Sequence, residues 1–222
     1  MAEIRASLSP VKLNLLPRDQ YRGVNGDDPI RFYYWPVLGR MYRKRVELCL
    51  AECTGGERVL EIGFGSGITF LNLAQTYREI HGLDLTAEVQ RVSEVFAARG
   101  IQTDLRRGDV LAMPYLDNHF DTVLLISILE HLKPAEQAIA FSEIRRVLRP
   151  GGQVVYGVPI ERPLMVFMFR RLGFDIREHH FSTEKNVREA AGRIMKEVSV
   201  KGMGSFPPGL GNVYEVGRFV KD

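Results

Sequence analysis

The sequence has no apolar run long enough to cross a bilayer. Its most apolar stretches, residues 123–129 and 164–169, fall far short of the roughly 20 residues a helical span needs. The opening MAEIRASLSP lacks the apolar centre of a secretory signal. Only two cysteines occur, Cys49 and Cys53, with no other cysteine or histidine close in sequence. Four residues apart on an expected helix, they suit buried free thiols better than a metal site. Such sparing use of cysteine fits a reducing, cytoplasmic location. A surplus of one charge is also missing. The net charge is +3 and the basic residues are scattered, so the basic stripe of a nucleic-acid partner is not there. No internal repeat, low-complexity tract or second-domain boundary is found, and 222 residues fit one domain.

What is present is a regular alternation. Residues 58–67 read RVLEIGFGSG: a buried strand through Val59, Leu60 and Ile62, then a turn with glycine at 63, 65 and 67, then a helix beginning near Ile68. Glycine lets the chain turn sharply and lets a ligand lie on the backbone. The amides at the start of the next helix are expected to face that ligand. Ahead of this turn, Leu38, Tyr42, Val46, Cys49, Leu50 and Cys53 recur at helical spacing. After it, Phe70, Leu71, Ala74 and Tyr77 predict one helical stripe, and a second strand over 80–84 follows. Thr86 is the expected cap of a second helix carrying Val89, Val92 and Phe96, stopped by Gly100. Strands are expected near 101–106, at 120–126 and at 153–158. A helix starts at Pro134, and Pro150-Gly151 suits a type II turn. The pattern is that of βαβ units, hence a doubly wound, mostly parallel sheet with helices on both faces. Beyond Pro159, short helices are expected over 164–172 and from Ser182 or Thr183. Alternating segments over 194–200 and 213–220, with a turn at Pro207-Pro208-Gly209 between them, predict two antiparallel strands closing one sheet edge.

The glycine turn does not match the common phosphate sites. The dinucleotide fingerprint wants a third small residue where Ile68 stands, and no Gly-Lys-Ser/Thr follows. Glu61 would repel a diphosphate but not a cation. A second carboxylate, Asp84, ends the second strand, where it can accept ribose hydroxyls or cap the next helix. A third, Asp109, follows the third strand, where it can accept from an exocyclic amine or sit in a surface turn. Three carboxylates around such a loop describe a ligand with adenine, ribose and a positive centre.

With these residues in place, the sequence resembles the class I S-adenosylmethionine-dependent methyltransferases, in particular enzymes similar to the ubiquinone/menaquinone C-methyltransferases. Five stretches carry the resemblance: VLEIGFGSG at 59–67, GLDLT at 82–86, RRGDVLAMPY at 106–115, FDTVLLISILEHL at 120–132 and RVLRPGGQVVYGVP at 146–159. It implies a seven-stranded sheet with an antiparallel last strand and S-adenosylmethionine as cofactor, with S-adenosylhomocysteine as product and no metal. By resemblance Glu61, Gly63, Phe64, Gly65 and Gly67 line the methionine side. Asp84 and Leu85 hold the ribose and flank the adenine, Asp109 and Val110 read the adenine edge, and Ser127 lies near the reaction centre.

Methyl transfer from a sulfonium needs alignment and desolvation more than acid–base chemistry. His131 is the candidate base, with packing or capping as its alternative; the pair His179-His180 is too small a set for a metal. Tyr33, Tyr34 and Trp35, beside Phe32, and Met165 and Met168, beside Phe167 and Phe169, are the candidate acceptor contacts, or else core. The expected organisation is one domain: a cap and helix over 1–54, a cofactor core over 55–158, and a substrate-side insertion with edge strands over 159–222. The expected partner is a small, partly hydrophobic methyl acceptor, with neither nucleic acid nor membrane span, on a monomer or homodimer. The alternatives are a nicotinamide-dependent oxidoreductase and a catalytically silent binder of adenosyl ligands.

Overall fold

Seven strands form one sheet in a computed structural model that describes residues 10–21, 24, 30–36, 38–160, 181–205 and 211–222. The expectations placed on 164–172, Met165, Met168, His179, His180 and 207–209 lie outside the described residues.

In chain order, residues 10–16 lead through a 3-10 turn (Arg18–Tyr21) to the single-turn helix α1 (Ile30–Tyr33). Helix α2 (Leu38–Glu52) follows, burying Val46, Cys49 and Leu50. Then come β1 (Gly56–Ile62), α3 (Phe70–Leu73), β2 (Tyr77–Asp84), α4 (Val89–Ala97), β3 (Thr103–Arg107) and β4 (Phe120–Ile126). After a 3-10 turn (Leu129–His131) come α5 (Pro134–Val147) and β5 (Leu148–Pro159), and last α6 (Glu184–Ile194), β6 (Lys196–Gly204) and β7 (Asn212–Val220).

The sheet order is β3-β2-β1-β4-β5-β7-β6. Strands β1 to β5 pair in parallel, and β7 lies between β5 and β6, antiparallel to both. The central strands are buried on both faces, so they read as continuous apolar runs; Val123, Leu124 and Leu125 are all fully buried. One face is covered by α2, α3 and α4 through Val46, Phe70, Leu73 and Phe96, joined by Leu13 and Leu16 from the N-terminal segment. The other face is covered by α5 and α6 through Phe141, Ile144, Val147, Val187 and Ala191. Each fully buried side chain of this size contributes about 1.5–3 kcal/mol.

Local chemistry sets the boundaries. Helix α4 ends in a Schellman arrangement: Gly100 takes φ +74°, its amide donates to Ala97 O at 2.9 Å, and the Ile101 amide donates to Phe96 O at 3.1 Å. At α5 the Lys133 amide donates to the Glu136 carboxylate at 2.8 Å, with Pro134 at the first helical position. Of the two expected caps for α6, Thr183 is the one used. Its hydroxyl accepts from the Asn186 amide, and the Ser182 hydroxyl donates to Leu132 O at 2.6 Å. Residues 149–152 bulge between the Phe120–Leu148 and Thr122–Gln153 pairs, with Gly151 at φ +73° as the expected turn requires.

Two expectations are corrected. The stripe through Phe70, Leu71, Ala74 and Tyr77 is not one helix. Helix α3 stops at Leu73, and Tyr77 already belongs to β2. The Thr76 hydroxyl bonds back to Leu73 O at 3.3 Å. The Tyr77 hydroxyl is drawn under the sheet, donating to Thr122 Oγ1 at 2.8 Å and accepting from the Gly55 amide at 3.3 Å. Nor does Thr86 cap α4: Glu88 holds that position, and Thr86 belongs to a turn that Asp84 organises.

Candidate functional site

The carboxyl ends of β3, β2, β1 and β4 lie side by side, and every expected cofactor residue sits on this crest. The glycine turn leaves β1 with Gly63, Gly65 and Gly67 all at positive φ (71°, 51° and 70°), a region that excludes most side chains. Space is tight as well. A Cβ at Gly63 would lie 2.0 Å from Ile128 Cδ1, and one at Gly67 would lie 2.7 Å from the Phe70 and Phe96 rings.

Several amides of this turn bond within the chain. Gly63 donates to Leu83 O at 2.7 Å, Gly65 to Asp84 Oδ2 at 2.9 Å, Gly67 to Phe64 O at 2.7 Å, and Phe70 to Gly67 O at 3.1 Å. These four amides are thus used by the chain's own acceptors. A phosphate here would find these amides taken and two carboxylates nearby. Glu61 is 3% exposed and accepts from the Thr69 hydroxyl. Asp84 also accepts from the Thr86 and Ala87 amides, each at 2.9 Å. Arg107 is turned onto the Thr86 and Ala87 carbonyls at 3.3 and 3.2 Å. A cradle of glycines flanked by carboxylates suits a ligand with a positive centre and hydroxyls, which is the chemistry of an adenosyl sulfonium.

The remaining expected residues continue this line. Leu85 is 64% exposed at the β2 end. The Gly108 amide donates to Asp84 O at 2.9 Å, which ties the β3 end to the β2 end. Asp109 is half-buried, and its Oδ1 accepts from the Leu111 amide at 2.9 Å, while Val110 is buried. Phe64 is buried against Phe70, ring centroids 5.9 Å apart. Ser127 ends β4 at φ +57°, one of two non-glycine residues with positive φ among the described ones. Its amide donates to Gly157 O at 2.8 Å, and its hydroxyl lies 3.0 Å from the Tyr214 hydroxyl. A strained residue held this firmly is a mark of a functional position.

Sequence reasoning missed the wall beside Ser127. Tyr214 comes from β7, and its phenol is pushed far up by burial, so it stays protonated. Beneath it lies the Cys49 thiol, also pushed far up by burial; the Cys53 thiol rises to about 12 for the same reason. Neither sulfur supplies a thiolate at neutral pH. Arg45 of α2 stacks on Tyr42 and Tyr214, its Cζ 4.2 and 5.5 Å from the two ring centroids. Nothing in the sequence signals this set, since Arg45 and Tyr214 meet only because β7 lies beside β5. The 3-10 turn after β4 carries Glu130, which is 3% exposed, and His131, which is exposed to solvent.

Of the candidate acceptor contacts, Tyr33 is buried and its carbonyl accepts from Arg43 Nε at 2.8 Å. The Tyr34 hydroxyl donates to Leu16 O, and Trp35 is 49% exposed, edge-on to Phe32 at 5.1 Å. Tyr33 and Tyr34 thus tie the N-terminal segment to α2, and Trp35 is the one left facing solvent. Among the described residues no helix is long and apolar enough to cross a membrane.

Comparison with known proteins agrees with this geometry. Residues 60–156 match a family model described as a methyltransferase domain. A probable S-adenosylmethionine-dependent methyltransferase of Mycolicibacterium smegmatis is 37% identical over 111 residues, covering 50% of this chain and 41% of that protein. The chain spans less than half the length of the curated relatives it matches. Among solved structures, the N-methyltransferase NodS of Bradyrhizobium japonicum, in complex with S-adenosylhomocysteine, superposes with a TM-score of 0.67. That match has 19% identity over 92% of this chain and 97% of NodS. The cyclase SpnF superposes with a TM-score of 0.66 at 19% identity, over 90% of this chain and 86% of that one. At such identities the likeness is one of fold, and the fold also hosts chemistry other than methyl transfer.

Proposed function

We propose that the chain is a class I S-adenosylmethionine-dependent methyltransferase, in line with the match of residues 60–156 to a methyltransferase domain and with its methyltransferase relative, and that it methylates a small, partly hydrophobic acceptor. The observation that carries this reading is the glycine turn whose Gly63, Gly65 and Gly67 amides bond within the chain and whose flanks are Glu61 and Asp84. Such a turn disfavours a diphosphate and accommodates a sulfonium. When bound, S-adenosylmethionine supplies an activated methyl group. Glu61, Gly63, Phe64, Gly65 and Gly67 would hold the methionine part, Asp84 and Leu85 the ribose, and Asp109 and Val110 the adenine edge.

The chain's own part is alignment and exclusion of water. Ser127 and Tyr214 form the floor between the donor half of the crest, over β1 to β3, and the half over β5 and β7. Where an acceptor must lose a proton, the turn after β4 offers His131 on its outer side and Glu130 on its inner side. Tyr33, Tyr34 and Trp35 are proposed to border the acceptor from the N-terminal segment.

Thermal unfolding with different ligands tests this reading. At about a hundred times its dissociation constant a ligand adds roughly 2.7 kcal/mol of stability. S-adenosylmethionine and S-adenosylhomocysteine are expected to raise the melting temperature and NAD to leave it unchanged; the opposite pattern would return the chain to the oxidoreductases. Transfer of labelled methyl to a panel of small acceptors then separates an enzyme from a silent binder, or from a SpnF-like protein that uses the fold differently.

A further inference from the structure

Helix α3 is a single turn, too short to be stable by itself, and its surroundings hold it. The Phe70 ring packs against Phe64 and Phe96, with centroids 5.9 and 5.0 Å away. Asn72 accepts from the Asn14 amide at 2.9 Å and donates to Lys12 O at 2.9 Å. The residue that opens the helix, Thr69, is fully buried. Its carbonyl accepts from the Asn72 and Leu73 amides at 2.8 and 2.9 Å. Its hydroxyl, however, does not cap the helix. A threonine at this position ordinarily accepts from an amide of the first turn. Here no side-chain cap is made, and the hydroxyl donates instead to Glu61 Oε2.

Glu61 lies in the middle of the sheet, opposite Gly82 on β2 and Leu124 on β4 and two residues before Gly63. Alternation along β1 puts it on the same face as Val59, the face that α3 covers. A carboxylate buried this deeply has lost its water and needs protein donors in return. A hydroxyl is a donor of a particular kind. It fixes the direction of the carboxylate while adding no positive charge of its own, so the negative charge stays available to a cationic ligand.

We propose that Thr69 is a positioning residue for the methyl donor: through its hydroxyl it holds the Glu61 carboxylate in the orientation that receives the positively charged amino-acid end of S-adenosylmethionine. The proposal rests on the methyltransferase reading. Thr69 acts on the ligand only through Glu61. The firm seat of α3 between the aromatic rings and the N-terminal segment gives this its value, because a carboxylate aimed in advance needs no reordering when the ligand arrives.

Calorimetry on the full chain tests the assignment by comparing S-adenosylhomocysteine, which carries the ammonium group, with 5′-methylthioadenosine, which lacks the amino-acid part. Thr69→Val keeps the shape of the side chain and removes the hydroxyl. It is expected to weaken S-adenosylhomocysteine by about tenfold, the worth of a hydrogen bond to a charged group, and to leave 5′-methylthioadenosine unchanged. Thr69→Ser returns the hydroxyl and most of the affinity. In a Glu61→Gln background Thr69→Val is expected to add no further loss, since the two residues act as one unit. Retained binding of 5′-methylthioadenosine shows that Thr69→Val is folded; should it not fold, Thr69→Ala is read in the same way, and if neither folds, Thr69 is a structural tether and the proposal falls. The proposal is overturned if Thr69→Val leaves S-adenosylhomocysteine unchanged, if it weakens both ligands alike, or if its effect persists in Glu61→Gln. A wild type that binds S-adenosylhomocysteine no more tightly than 5′-methylthioadenosine overturns it too, because no charged end is then read. A wild type that binds neither of them, nor S-adenosylmethionine, sinks the methyltransferase reading itself and this proposal with it.

Discussion

Asp84 does two things with one carboxylate. It ties the glycine turn to the end of β2 through the Gly65 amide, and it folds the next turn through the amides of Thr86 and Ala87. Both readings of this residue from sequence, ribose acceptor and local cap, thus describe compatible roles. Asp84→Ala is expected to weaken S-adenosylmethionine binding by about 1–3 kcal/mol and to lower the melting temperature of the ligand-free protein, since three amides lose their acceptor. Asp84→Asn keeps an oxygen acceptor and should recover much of the stability but less of the affinity. Calorimetry and thermal unfolding on both variants separate the two roles, and equal binding by Asp84→Ala and wild type would remove Asp84 from the ribose site. At Gly63 the obstacle is steric. Gly63→Ala combines a left-handed φ with a side chain 2.0 Å from Ile128 Cδ1, and about 1–3 kcal/mol of destabilisation is expected in urea unfolding. Adding Ile128→Ala should relieve the clash but not the backbone strain. Gly63, Asp84 and Asp109 were legible because short motifs fix them beside one another. Arg45 and Tyr214 were not, because their contact depends on which strand lies next to β5.

At the scale of elements, the strands were read more surely than the helices between them. β4 matches its expected limits because a strand buried on both faces is written as an unbroken apolar run. Helix α3 was overextended because Tyr77 falls at helical spacing from Phe70 yet is held by Thr122 and Gly55 across the sheet. Periodicity sees apolar positions but not their partners. Helix α2 gives a measurable case of such a partnership. Glu52, 5% exposed at its last turn, bonds to Lys201 and to Ser199 Oγ at 2.7 Å and lies near Arg218. Burial works against its charge, but these neighbours outweigh it and hold its pKa below the ordinary glutamate value of 4.5. The unfolded chain therefore takes up this proton more readily than the folded one. The contribution to stability is complete above the ordinary value and is lost as pH falls through the lowered one. Glu52→Gln is expected to cost about 1–3 kcal/mol at neutral pH and to flatten the acid side of the stability profile. Urea unfolding across pH measures both, and a variant with the wild-type acid limb would mean that Glu52 does not hold α2 to β6.

For the molecule as a whole, alternation of strand and helix from 58 to 158 was enough to infer a doubly wound sheet. The expected antiparallel pair at its edge is present, since β6 and β7 pair antiparallel. What the alternation does not encode is that the later strand of the two takes the inner place. β7 pairs with β5 on one side and β6 on the other, and it buries Tyr214, Val216 and Phe219. A chain cut before Asn212 is therefore expected to lose cooperative unfolding altogether, as followed by circular dichroism in urea, and not merely to shed an edge. A sharp transition in that truncated chain would show that β1 to β5 stand alone. The order of strands also has a consequence during synthesis. The ribosome releases β5 and then β6 with the place between them still vacant, and only residues 212–220 can fill it. Until those residues emerge, the nascent chain carries two unsatisfied strand edges facing each other, and Tyr214 is absent from the floor beside Ser127. The protein should thus gain its resistance to protease only once residues 212–220 have left the exit tunnel.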